Sequence, residues 1–162
     1  MIKFFIFIAS LCVIQMTNTA LAEDNKVVIA IVVASNQNVD ELKLAPNQLN
    51  LVYWRKQLYW PKGLRIKPVN LSTEHPLRLQ FSQSVLGSAP KTQIDYWNGQ
   101  YFNGVLPPYS VNSEEAVLRY VTQTKGSIGY VNSCNIDERV QVVFWIIQNQ
   151  MSTHAPENID CK

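Results

Sequence analysis

Val27-Val28-Ile29-Ala30-Ile31-Val32-Val33 is a nearly unbroken run of apolar, mostly β-branched residues. A strand with one wet face alternates apolar and polar side chains. A run that is apolar at every position has both faces covered, as inside an α/β sheet. The polar turn Ala34-Ser35-Asn36-Gln37-Asn38 follows at once. This segment predicts a central strand, and the rest of the chain must supply the layers that cover it.

The downstream pattern supplies helices and further strands. Pro46 can open a helix, because the first turn does not need the N–H that proline lacks, and Leu49, Val52 and Tyr53 follow at helical spacing. Trp60-Pro61-Lys62-Gly63 is turn chemistry, and Leu64-Arg65-Ile66-Lys67-Pro68-Val69 alternates as a second strand. Pro68 predicts that this strand lies at an edge or ends there. Ser72-Thr73-Glu74-His75-Pro76 is a capping cluster ahead of Leu77, Phe81 and Val85, which share one helical face, and Gly87 can end that helix. Pro90 opens a short helix carrying Ile94 and Trp97; residues 98–112 read as loop. Asn112 and Glu115 have capping-box spacing before Ala116, Val117, Tyr120 and Val121, with Gly126 as a natural stop. Ser127-Ile128-Gly129-Tyr130-Val131 and the run from Val140 to Ile147 are the last strands. The order β-α-β-α-α-α-β-β implies an α/β layered domain.

Upstream of the central strand, Lys3, the apolar stretch from Phe4 to Ile14 and Ala20-Leu21-Ala22 form the three parts of a cleavable secretory signal. The apolar stretch is shorter than the roughly 20 residues that span a bilayer. An uncleaved amphipathic start is the alternative. The expected organisation is a signal peptide over 1–22 and a single domain over 23–162, exported to the periplasm without membrane insertion. Cys12 leaves with the signal, so Cys134 and Cys161 remain as an even pair in an oxidising compartment. They read as a disulfide pinning the C-terminal tail, with two separate thiols as the alternative. The 14 basic and 12 acidic residues give a formal charge of +2 without a basic run, which argues against nucleic acid as a partner.

The ordered motifs carry a resemblance. They are Trp60-Pro61-Lys62-Gly63, Ile66-Lys67-Pro68-Val69, a polar turn into the helix of Arg78 and Phe81, Tyr96-Trp97, Pro107-Pro108, and Lys125-Gly126-Ser127-Ile128-Gly129-Tyr130-Val131. This order resembles the phosphate-binding component of phosphate ABC transporters, in the type 2 periplasmic-binding-protein superfamily. The resemblance spans Val27 to Val131. It implies a layered α/β domain of that type, essentially one lobe plus part of the second, with phosphate or another small oxyanion as ligand. It also implies a membrane transporter or sensor protein as partner. The family writes an arginine and Ser-Gly-Thr before the anion-binding helix; this chain reads Leu71-Ser72-Thr73-Glu74-His75-Pro76-Leu77 there.

Helix amino termini favour anions through free N–H groups and the positive dipole end. Ser72, Thr73 and Arg78 are therefore the candidate oxyanion ligands, with Glu74 opposing them. The structural alternative makes Ser72 or Thr73 a cap and pairs Arg78 with Glu74 along the helix. Ser35 and Asn36, at a strand's carboxyl end, are candidates for a second wall, or an ordinary polar turn. Ser127 lies near glycines whose backbone can approach a ligand or simply pack. Trp54, Trp60, Tyr96 and Trp97 read as core aromatics in preference to a stacking platform. With only His75 and His154, no nucleophile elbow and no metal-spaced Cys/His cluster, the sequence predicts neither catalysis nor a metal or cofactor.

Overall fold

The computed structural model describes residues 27–161; the expected signal segment lies outside them. The elements are β1 (Ile29–Ala34), α1 (Leu49–Tyr53), β2 (Lys67–Leu71), α2 (Pro76–Phe81), α3 (Ile94–Phe102), β3 (Tyr109–Val111), α4 (Glu114–Gln123), β4 (Ser127–Asn132), β5 (Val140–Ile147) and β6 (Gln150–Ser152). The strands form one mixed sheet in the order β3-β2-β4-β1-β5-β6. β1 is interior and antiparallel to both neighbours, and Ile29 to Val33 are wholly buried, as the apolar run requires. β2 is parallel to β3 and to β4.

Successive residues of β4 assign the helical layers. Gly129 faces α4: an added Cβ there would lie 2.6 Å from Val117 and 3.0 Å from Val121. Tyr130 points the other way, stacking on Phe81 of α2 at 3.9 Å and tilting against Tyr53 of α1 at 6.0 Å. The domain is thus three layers, with α4 on one face of the sheet and α1 and α2 on the other.

Several local expectations are corrected. Pro68 does not mark an edge, since β2 lies between β3 and β4. The Lys67 N–H donates to Gly126 O on the β4 side, so alternation turns the Pro68 nitrogen toward β3, where pairing begins only at Val69. Neither Ser72 nor Thr73 caps α2; His75 does, its Nδ1 accepting from Leu77 N at 3.2 Å, with Pro76 as the first helical residue. Ser113, one residue after the expected Asn112, caps α4. The predicted loop 98–112 holds the end of α3 and the strand β3. None of α3's residues is fully buried, so it lacks the apolar stripe that would announce a helix. It is held instead by Trp54 against Tyr96 and Trp97, and by the Tyr96 hydroxyl donating to Trp54 O at 2.7 Å.

β6 follows a two-residue turn in which Gln148 and Asn149 both have positive φ, a hairpin geometry usually announced by Asn-Gly. Cys134 and Cys161 form the expected disulfide, which ties the exposed tail to the turn after β4. Closing that loop stabilises by roughly 3–4 kcal/mol on the chain-entropy model. No helix among the described residues is long and apolar enough to cross a membrane.

Candidate functional site

Register fixes where the candidate residues lie. Val32 sits opposite Gly129 and Lys67 beside Ser127, so the carboxyl end of β1 and the amino ends of β2 and β4 share one edge of the domain. Ser35, Asn36 and Ser127 belong to that end. Ser72 and Thr73 follow β2 at the other end, roughly 16 Å away at about 3.3 Å per residue. The structure therefore does not set Ser35 and Asn36 opposite Ser72 and Thr73 as two walls of one site.

At the first end, Ser127 is buried and its hydroxyl is occupied by Val121 O and Thr124 O at 2.9 and 2.6 Å, fastening the end of α4 to β4. The turn at Ser35 is held by Ser35 N donating to Arg139 O and by the Gln141 amide donating to Ala34 O and Ser35 O. Asn36 lines a cleft of about 500 Å³ with Gln37, Asn38, Lys62, Thr122, Thr124 and Lys125, and a Lys62–Glu41 ion pair of 2.8 Å stands in its wall. Its amides and hydroxyls suit a polar ligand of low charge. The sequence did not announce this cleft, because its lining comes from three separate segments.

At the second end, Ser72 N donates to Val111 O, joining the loop to β3, and His75 N donates to Ser72 O. Among the described residues, the N–H groups of Thr73 and Glu74 and the hydroxyls of Ser72 and Thr73 have no hydrogen-bond partner. They lie at the carboxyl ends of the parallel strands β2 and β3, where α/β sheets place ligands. The Glu74 carboxylate is 3.7 Å from Lys91 Nζ, which offsets its charge.

Arg78 pairs neither with Glu74 nor with solvent. It occupies the third position of α2, on the face turned to the sheet, and only 5% of it is exposed. Its Nη2 donates to Gln93 Oε1 at 3.3 Å, while Nε and Nη1 have no partner; the buried Ser82 hydroxyl beside this helix also has none. Burial lowers the guanidinium's pKa, and the neighbouring Tyr130 and Tyr53 oppose that shift. The structure thus keeps Ser72 and Thr73 together in an open loop and carries Arg78 beneath α2. No group of acidic, histidine or cysteine residues among those described is arranged to hold a metal ion.

No family model and no curated protein matches the chain. Solved structures do. A phosphate ABC transporter substrate-binding protein from Clostridium perfringens, solved with bound phosphate, matches with a TM-score of 0.58 at 17% identity. That match covers 73% of this chain and 44% of the other. An ABC-type phosphate transport receptor from Vibrio cholerae matches with a TM-score of 0.55 at 18% identity, covering 72% and 45%. The chain shares the α/β fold of somewhat under half of each of these two proteins, and spans less than half of their length.

Proposed function

We propose that this chain is a periplasmic solute-binding-like protein that holds phosphate or another small oxyanion at the Ser72–Glu74 loop, resembling the phosphate-binding component of an ABC transporter. The observation that carries this reading is the set of unused donors on consecutive residues at the carboxyl end of β2. Arg78, buried against the sheet from the helix that follows this loop, adds a cation with no carboxylate partner among the described residues, which raises the potential on this side of the domain. The fold shared with phosphate-binding proteins supports the choice of ligand. The disulfide, with the signal-like start of the sequence, supports the compartment. Asn36 would serve a separate polar cleft, with Ser35 in the turn beside it.

Calorimetric titration with phosphate, sulfate and succinate tests the proposal. Saturable heat is expected with at least one of them, together with about 2.7 kcal/mol of added stability at 100 times Kd. Replacing Ser72 and Thr73 by Ala should weaken that binding. Absence of heat with any anion, and an unmoved Tm, overturns the reading.

A second reading has its own observation. α3 exposes Ile94, Tyr101 and Phe102, the last at 85%, and Leu106 extends the apolar surface. On this reading the fold is a ligand-free accessory or sensory module docking on a membrane transporter or sensor protein. Crosslinking from α3 in the cell envelope should then recover one partner, and charge substitution at Phe102 should abolish the product. Persistence of the product after that substitution rejects α3 as the contact.

A further inference from the structure

We infer that a second anion site lies at the amino ends of the parallel strands: a recess of about 120 Å³ lined by Arg55, Arg65, Lys67, Tyr109 and Tyr120, which takes a small, multiply charged free oxyanion. It is built independently of the Ser72 loop, which stands at the other end of β2.

Three cations converge here with no counter-charge. Arg65 and Lys67 are two apart on the chain entering β2, so they share one exposed side of it while the alternate residues Ile66 and Pro68 are buried. Arg55 arrives from the end of α1 in a left-handed conformation, φ 57°, unusual for a side chain of this size. Its Nη1 is anchored on Ile66 O at 3.1 Å, which fixes the plane of the guanidinium. Its Nε is buried and has no partner. Among the described residues, the ion pairs use Lys62, Lys91, Arg119 and Arg139, and none reaches Arg55, Arg65 or Lys67. Burial and the facing charge of Arg65 both lower the pKa of Arg55.

Like charges gathered around an unfilled donor leave a strong positive potential in a partly enclosed space. Guanidinium groups match the spacing of phosphate and sulfate oxygens, and charge-assisted hydrogen bonds to them are stronger than neutral ones. The opposite wall is the stacked pair Tyr109 and Tyr120, with ring centroids 5.3 Å apart, flanked by Pro107 and Pro108. These rings line the recess beside the cations.

The test follows the arginine Nε–Hε NMR signals of the protein during titration with inorganic phosphate and with sulfate, at an ionic strength held constant with chloride. The Arg55 signal should move saturably. An exposed double variant, Arg65→Gln with Lys67→Gln, should weaken the titration at least tenfold. The double variant Ser72→Ala with Thr73→Ala should leave it unchanged. The proposal falls if chloride alone reproduces the shift, if the Arg65/Lys67 variant titrates like the parent, or if the Ser72/Thr73 variant removes the response. A protein that fails at the Ser72 loop but passes here separates the two sites.

Discussion

The two faces of the sheet solve the same burial problem by different means. On the α4 face the contact is apolar and close: Val117, Val121 and Val69 converge on Gly129, where no side chain stands between helix and strand. On the α1 and α2 face the fill is aromatic and polar. Phe81 and Tyr130 stack with Tyr53 tilted against both, and among or beside them are Arg78, Ser82, Gln93 and Asn70, all buried. The Tyr130 hydroxyl accepts from Leu71 N and donates to Asn70 Oδ1, yet two donors of Arg78 and the hydroxyl of Ser82 go unmet. Unmet polar atoms in a core cost stability. A face that keeps them while its opposite avoids them is constrained by more than packing.

The largest expected effect lies on the aromatic face. Phe81→Ala removes the ring stacked on Tyr130 and opens a cavity under α2, which should cost about 3–5 kcal/mol in urea denaturation. A loss below 1 kcal/mol would mean that the stack is not the keystone of this face. On the other face the error to introduce is volume. Gly129→Ala sets a methyl against Val117 and Val69, and overpacking of this kind costs about 1–3 kcal/mol. If the variant is as stable as the parent, α4 can lift from the sheet and the two faces differ less than their contacts indicate.

How much of this was legible in sequence follows from the range of each signal. The run Ile29 to Val33 announced a strand covered on both faces, because burial on both sides leaves no polar position. The α4 stripe and the glycines at 126 and 129 were legible for a similar reason. α3 was cut short and β3 missed, since α3 buries no residue fully and Pro107-Pro108 resembles a linker until β2 is seen beside it. The environment of Arg78 was not legible: helical spacing offers Glu74 as a partner, and only tertiary packing turns the guanidinium inward to Gln93. The recess of Arg55, Arg65 and Lys67 was half legible. Two of its cations alternate along one segment, while Arg55 and Tyr120 join them only through the fold.

Arg78 gives the sharpest test of why the polar face tolerates its polarity. A buried cation with unmet donors is often replaced by an apolar residue at no loss, whereas a satisfied one is costly to remove. Arg78→Met in anion-free buffer should therefore leave Tm unchanged or raise it, with a gain of up to about 2 kcal/mol partly offset by the orphaned Gln93 Oε1. A loss above 2 kcal/mol would show that the guanidinium finds further partners in solution. If the loss appears only when phosphate is present, Arg78 contributes to anion affinity and not to the bare fold.

The smallest effect concerns a guanidinium with its charges met at the surface. Arg139 donates through Nη1 and Nη2 to both oxygens of Glu115 on α4, and through Nε and Nη2 to Asp137. Those hydrogen bonds hold the carboxyls of Glu115 and Asp137 below their ordinary values of 4.5 and 3.8. Both groups are thus more acidic in the folded chain than in the unfolded one. Their contribution is complete above those ordinary values and is lost as pH falls through the depressed ones. Arg139→Gln should lower Tm slightly near pH 7, by less than Phe81→Ala or Gly129→Ala. The gap between variant and parent should close as pH falls below about 4, and it should shrink in 0.5 M salt, since exposed pairs are screened. A gap that persists in acid would assign Arg139 a packing role, leaving Arg78 as the residue where charge and core collide.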